Sequence, residues 1–321
     1  MAAMKAIRVQ GAMFCCGAAA AVAGADVIRR LPPQVFVVLL GGLILVLGAP
    51  HGSLDALLVS RRGLVSSKLG WTVFVASYLA FAAVVVAMRW ALPGLFLALF
   101  LAVSLVHFSG DPLPGARIAT RILYSGAILA LPTLRYADDV RHLFALLAGD
   151  GPAQLGVSAL HFLALPWALA LFGVALAAMR SDGLAGLELA ALGGLMLFAP
   201  PLLGFTVFFC GMHGARHVLR TLDDCGPGLS HGVMAALVVP TLAVLLLLAT
   251  AWHFLRGQPI EAKVIQVVFV ALAALTLPHM AIVEPLRLAR CRRAAEPRSR
   301  LPSELDFRLD AEDGCSKVTS S

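Results

Sequence analysis

Long apolar segments separated by short polar ones dominate the chain from residue 34 onward. A membrane-spanning helix needs about 20 consecutive apolar residues, and most of these segments approach or exceed that length. They are 34–60, 71–88, 93–109, 117–132, 154–179, 184–203, 204–222, 231–254 and 264–283. The pattern predicts an all-α fold, a polytopic transmembrane bundle of about eight to ten helices. The stretch between them at 134–152 is predicted to be the longest polar connection.

The first 33 residues allow two interpretations. Lys5 and Arg8 precede an Ala-rich run that ends in Ala23-Gly24-Ala25, a pattern typical of a secretory signal peptide. A weak first membrane helix is the alternative, and the many spans that follow favour it slightly. The predicted organisation is therefore 1–33 as this segment, 34–285 as the transmembrane bundle and 286–321 as a charged tail, which is expected to be disordered.

Composition agrees with the pattern. Of the 321 residues, 60% are hydrophobic and only 13% are charged, whereas soluble domains have about 25% charged residues. The net charge of +7 lies largely in short loops and the tail, where it sets topology, so no nucleic-acid partner is expected. Its distribution places both termini in the cytoplasm, as in a multi-pass protein of the cell inner (cytoplasmic) membrane. The six cysteines form no disulfide framework.

Histidines inside apolar segments carry the candidate chemistry. His213 and His217 are four residues apart, so a helix places them on one face. Two imidazoles at that spacing can bind one metal ion. The pair alone is a weak signal, because both rings could also lie at a membrane–water interface as ordinary polar residues.

Two further histidines are each followed by an aspartate four residues later: His51 by Asp55, and His107 by Asp111. Such a carboxylate could accept a hydrogen bond from the ring nitrogen that does not bind a metal. Alternatively, each His–Asp pair could form a hydrogen bond within itself and have no further role. Because ionisable residues inside membrane helices mark functional sites, the recurrence favours one shared site, and His279 is expected to lie beside it.

The number of histidine ligands helps to decide which metal the site would bind. Neutral imidazoles suit ferrous iron, zinc or copper. Zinc with four ligands has no open position, whereas a six-coordinate iron with four histidines keeps two. A four-histidine site therefore favours oxidation over hydrolysis.

Four motifs, PHGSLD, HFSGD, CGMHGARH and PHMAIVE, resemble the Brp/Blh family of beta-carotene 15,15'-dioxygenases across roughly Gly48 to Glu284. The resemblance implies cleavage of beta-carotene by dioxygen to two all-trans-retinal molecules within the lipid bilayer, with Fe(2+) as cofactor. It also implies a functional link to microbial rhodopsins, which use retinal. The implied iron ligands are His51, His107, His213 and His217, surrounded by Asp55, Asp111 and His279.

The sequence departs from the family pattern at Ala56 and Met212, where the family often has histidine. Both positions flank the site, so they leave the substrate and the position of cleavage open. Phenylalanines near the histidine motifs could line a tunnel for the substrate, although each could equally be a packing or lipid-facing residue. They are Phe108, Phe205, Phe208 and Phe209.

Other functions also fit an intramembrane cluster of His and Asp. One is a divergent carotenoid or apocarotenoid oxygenase, and another is a non-catalytic carotenoid-binding relative. A third is a transporter with His/Asp proton relays. Iron that copurifies with the protein would separate an enzyme from a transporter, and retinal formed in carotene-producing cells would separate an enzyme from a binding protein.

Overall fold

Helices joined by short turns make up the described part of the chain, which contains no β-strand, and this confirms the all-α fold. This computed structural model describes residues 2–61, 65, 67–112, 116–225, 242, 246, 249–250, 252–253, 255 and 257–295, without the side chains of 2–3, 48–53, 61, 222, 224–225 and 282–295. The helices are α1 (Ala2–Ala23), α2 (Ala25–Ile28), α3 (Pro33–Arg61), α4 (Lys68–Ala91), α5 (Pro93–Phe108), α6 (Ile118–Ala130), α7 (Thr133–Ala148), α8 (Asp150–Ser181), α9 (Gly183–Phe198), α10 (Pro201–Phe208), a π-helical segment (Phe209–Gly214), α11 (Ala215–Cys225) and α12 (Ile260–Ala295).

Five stretches among the described residues are long and apolar enough to cross a membrane: Met4–Ala23, Lys68–Ala91, Asp150–Ser181, Pro201–Thr221 and Ile260–Ala281. Four shorter apolar helices accompany them. On α8, Phe162, Leu169 and Phe172 are 82%, 65% and 64% exposed. Apolar side chains exposed together in this way suit contact with lipid, so the helices are compatible with a multi-pass membrane protein.

Proline and capping residues set many of the helix boundaries. Pro33, Pro93 and Pro201 stand at the first helical position, where the missing N–H costs nothing and the fixed φ suits the helix. The Pro200-Pro201 break separates α9 from α10, as the sequence predicts. Asp182 caps α9 by accepting hydrogen bonds from the backbone N–H groups of Leu184 and Ala185.

The predicted polar connection at 134–152 is instead mostly helix α7. Its charged residues fall on one side, with Asp138 and Asp139 exposed, whereas Val140 and Leu147 are buried in the core. This helical periodicity explains the difference, because a helix lying along the bundle needs only one apolar face.

Helix α1 is part of the core. Phe14 is 3% and Ala18 is 1% exposed, and both belong to the main buried apolar cluster. Residues 1–33 thus include a helix packed into the core, and the choice between a membrane helix and a signal peptide stays a prediction.

The chain forms two compact units, and the first, Met1–Met280, contains all of the side chains discussed below. In the second, Ala281–Ser321, helix α12 extends as far as Ala295, into the segment predicted as tail. Residues 296–321 and most of the predicted span 231–254 lie outside the described residues.

Candidate active site

The helix that carries His213 contains one turn of π-helix, Phe209–Gly214, which is called the π-turn below. Helix α10 passes into the π-helical segment Phe209–Gly214 before α11 begins. A π-turn inserts an extra residue into the helix, rotates the side chains that follow it, and is frequent at functional sites. The sequence predicts only a regular helix over 204–222, so the rotation at His213 could not be anticipated.

Four histidines from separate segments meet inside the bundle: His107 on α5, His213 in the π-helical segment, His217 on α11 and His279 on α12. The Nε2 atoms of His107 and His213 are 3.0 Å apart, and their ring centroids are 4.6 Å apart. The ring of His279 lies 5.2 Å from that of His107 and 5.0 Å from that of His217. The fold thus gathers residues that are far apart in sequence into one imidazole cluster.

Two buried carboxylates orient two of these rings. Nδ1 of His213 lies 3.0 Å from Oδ1 of Asp111, and Nδ1 of His279 lies 2.6 Å from Oδ1 of Asp55. The hydroxyl of Tyr78 donates to Oδ2 of Asp55 at 3.2 Å. Because an ionised carboxylate only accepts hydrogen bonds, each Nδ1 carries a proton, and each Nε2 is the nitrogen that can bind a metal.

Asp55 and Asp111, the aspartates four residues after a histidine (the HxxxD spacing), therefore pair with histidines from other parts of the chain. Helix α5 ends at Phe108, so Asp111 lies beyond the helix, where the i, i+4 relation to His107 no longer holds. It reaches His213 instead. Asp55 lies in α3 and pairs with His279 on α12, while the side chain of His51 is outside the described residues. The four-residue spacing identifies the two aspartates, but which histidine each one contacts depends on how the helices pack.

The donor set suits a metal ion in its chemistry. Imidazole nitrogens are ligands that ferrous iron, zinc and copper accept, and the Nε2 atoms of His107 and His213 face each other at 3.0 Å, the length of a direct hydrogen bond. Among the side chains that the structure describes, no group of three or more His, Cys, Asp and Glu residues is arranged closely enough to hold an ion as it stands.

Comparisons with known proteins identify the family to which the chain is similar. A profile of the family described as "Beta-carotene 15,15'-dioxygenase" matches residues 42–287. The chain belongs to this family. That match confirms the resemblance carried by the four motifs, and it covers His51, His107, His213, His217 and His279.

Two relatives of the dioxygenase family extend over most of the chain. The "Beta-carotene 15,15'-dioxygenase" of uncultured marine bacterium 66A03 is 27% identical over 259 residues, covering 75% of this chain and 90% of that protein. The "Probable beta-carotene 15,15'-dioxygenase Blh" of Halobacterium salinarum is 26% identical over 279 residues, covering 74% of this chain and 80% of that protein. No solved structure matches the chain.

In this member of the dioxygenase family, phenylalanines surround the imidazole cluster. The ring centroid of Phe108 is 5.0 Å from that of His213, and Phe209 stacks on the same imidazole at 5.4 Å. Phe208 is fully buried against Phe108, with centroids 5.0 Å apart. Phe205 stacks on Phe209 at 5.5 Å.

An apolar cavity of about 80 Å³ is lined in part by Phe108. Its lining includes Phe100, Phe108, Leu143, Phe205 and Phe269. Two of the four predicted tunnel residues, Phe108 and Phe205, therefore face this cavity, while Phe208 and Phe209 pack around His213 without lining it. Phe108, which lines the cavity, also has ring contacts with His107 and His213.

Buried polar residues lie beside the imidazole cluster, and the sequence does not predict their partners. Arg216 is fully buried, and its guanidinium bonds to Glu188, which is 3% exposed. Arg220 donates to three backbone carbonyls of the turn at 110–112. Glu188 could have been singled out as a carboxylate inside an apolar span, whereas Gln10, which contacts Arg216, gives no such signal.

Proposed function

We propose that this protein cleaves beta-carotene at its central 15,15' double bond with dioxygen, giving two molecules of all-trans-retinal. The observation that carries the proposal is the imidazole cluster, oriented by two buried carboxylates, inside the segment that matches the family. In the balanced reaction one carbon–carbon double bond breaks and each carbon receives one atom of the dioxygen. No external reductant is consumed.

The proposed metal is ferrous iron, with His51, His107, His213 and His217 as its ligands. Bound there, iron would supply the activation of dioxygen. Asp111 keeps the proton of His213 on Nδ1 and so directs Nε2 toward His107. Asp55 acts in the same way on His279, which makes His279 a further candidate ligand through its own Nε2.

The surrounding residues would keep water out and hold the polyene. His213 and His279 are 3% and 2% exposed, and Phe108, Phe208 and Phe209 are also buried. A carotenoid dissolves in the bilayer, so it can approach between helices without leaving lipid. The cavity lined by Phe108 and Phe205 would take part of the polyene next to the imidazoles.

Expression in a bacterium that accumulates beta-carotene tests this function. Wild-type protein should bleach the cells and yield retinal by chromatography, whereas His107→Ala and His213→Ala should yield none. His142→Ala is the matched control, because His142 is exposed on α7 and should leave the retinal yield unchanged. Absence of retinal with a well-expressed wild-type protein, or full yield from His107→Ala, would contradict the proposal.

A further inference from the structure

Helix α1 precedes the segment that matches the dioxygenase family, which begins at residue 42, yet it contacts the π-turn directly. Gln10 is 8% exposed, and its Nε2 donates to the backbone carbonyl of Gly211 at 2.6 Å. A π-turn disturbs the regular hydrogen bonding of a helix. Gln10 thus stabilises a carbonyl of the turn that presents His213.

The same glutamine joins α1 to a buried ion pair. Nε of Arg216 donates to Oε1 of Gln10 at 2.9 Å. The two Nη atoms of Arg216 bond to the two carboxylate oxygens of Glu188, at 3.1 and 2.7 Å. These three hydrogen bonds, two of them to a carboxylate, fix the orientation of the guanidinium, because Arg presents its donors in a rigid fork.

This fixed guanidinium reaches the imidazole cluster through Asp111. Nη1 of Arg216 donates to the backbone carbonyl of Asp111 at 3.0 Å, and Arg220 holds the same carbonyl at 3.1 Å. The carboxylate of Asp111 in turn accepts from Nδ1 of His213. A continuous series of contacts therefore runs from α1 to His213.

Gly11 provides the space for this arrangement. A methyl group at Gly11 would overlap Oε1 of Glu188 and would come within 3.1 Å of Nη2 of Arg216. Any side chain at this position must therefore displace the carboxylate that orients Arg216. The next glycine of α1, Gly17, has no atom within 4 Å of the corresponding methyl position.

We propose that α1 forms part of the candidate active site. Gln10 and Gly11 are positioning residues, which set the orientation of His213 through Arg216 and Asp111. The proposal rests on the proposed function in one respect, that His213 binds the metal. It assigns a role in the reaction site to a helix that lies before the family-matched segment.

Gly11→Ala tests the proposal, with Gly17→Ala as its matched control. Both changes add one methyl group to the interior of α1 and raise helix propensity equally, but only the first disturbs Glu188. Purified full-length variants are loaded with ferrous iron, and the rate of iron loss to a chelator is measured beside retinal formation and the unfolding temperature. Gly11→Ala should lose iron about 10-fold faster than Gly17→Ala, as expected when an orienting partner is disturbed.

A compensating change separates positioning from simple destabilisation. In the Gly11→Ala background, Glu188→Asp shortens the carboxylate by one methylene and makes room for the added methyl group. In the Gly11→Ala background, Glu188→Asp should slow iron loss again. In the wild-type background, Glu188→Asp alone should make iron loss faster. Such non-additivity identifies direct coupling between the two residues. If Gly11→Ala does not fold, Gln10→Leu removes the contacts to Gly211 and Arg216 and should give the same faster iron loss.

The outcomes distinguish this inference from the proposed function. Equal rates of iron loss in Gly11→Ala and Gly17→Ala, or a lower unfolding temperature with no change in iron loss, would overturn the role of α1. Wild-type iron retention in His213→Ala would instead overturn the assignment of the ligand on which both rest.

Discussion

At the residue scale, the site depends on which nitrogen of each imidazole is protonated. Asp111 and Asp55 lie 3.0 and 2.6 Å from Nδ1 of His213 and His279. Each carboxylate fixes the tautomer, and in the proposed iron site it would strengthen Nε2 as a ligand. Neither pairing follows from the HxxxD spacing, since both depend on contacts between residues more than 100 positions apart.

Asp111→Asn and Asp55→Asn should therefore reduce retinal formation or iron retention by about 10–100-fold. An amide can still occupy the space, but it no longer enforces a proton on Nδ1. Asp139→Asn serves as control, because Asp139 is exposed on α7. Wild-type behaviour of both test variants would mean that the two carboxylates do not act on the metal site.

The contacts of His279 give a second prediction at this scale. Its ring lies 5.2 Å from that of His107 and 5.0 Å from that of His217, so its loss should affect the cluster as strongly as the loss of Asp55. His279→Ala should reduce the iron content per chain and the retinal yield together. Normal iron content with reduced yield would instead place His279 beside the substrate and remove it from the candidate ligands.

At the element scale, predicted spans and observed helices agree wherever proline or a long apolar run sets the boundary. The break at Pro200-Pro201 and the start of α5 at Pro93 are examples. The helix α7 and the π-turn at Phe209–Gly214 were missed for different reasons. The apolar positions of α7 alternate with charged residues along the sequence. The π-turn contacts both α1 and α3, and contacts between distant segments leave no local sequence signal.

Asp182 illustrates how a single residue joins two elements. It caps α9 and accepts a hydrogen bond from Arg8 of α1 at 2.8 Å. Asp182→Ala should lower the free energy of unfolding by about 1 kcal/mol through loss of the cap. Thermal unfolding in detergent measures this change, and Asp138→Ala, an exposed residue of α7, is the control.

The effect of Asp182 should also depend on pH. The hydrogen bond from Arg8, helped by backbone N–H groups of α9, lowers the pKa of Asp182 from its ordinary value. A depressed pKa means that the stabilisation is present above the carboxyl pKa of the unfolded chain and is lost as pH falls through the folded value. Wild type and Asp182→Ala should thus converge in stability at acidic pH, and a constant difference across that range would contradict the assignment.

At the scale of the whole molecule, the fold places a polar cluster beside an apolar cavity, with Phe108 in contact with both. Phe205 lines the cavity beside the site, whereas Phe209 stacks directly on His213. Phe205→Trp should therefore narrow the cavity and change the preference among carotenoids, while iron content stays normal. Phe209→Trp should disturb iron binding as well. Identical effects of the two variants would contradict the separate roles given to Phe205 in the cavity and Phe209 at His213.

The overall architecture was largely predictable because hydrophobicity and length identify membrane helices with little reference to packing. The motifs around His107, His213 and His279 also indicated the segments that meet. The buried Arg216–Glu188 pair and its contact with Gln10 were not predictable, because they join residues of three helices whose relative positions exist only in the folded bundle.

The imidazole cluster is proposed to support cleavage by dioxygen with iron. The most direct measurement compares retinal formation by purified protein loaded with ferrous iron or with zinc, each in the presence and absence of dioxygen. Only the iron-loaded protein with dioxygen should form retinal, because zinc has no redox chemistry, while the zinc-loaded protein should remain folded. Retinal formation without dioxygen, or full activity with zinc, would contradict the claim.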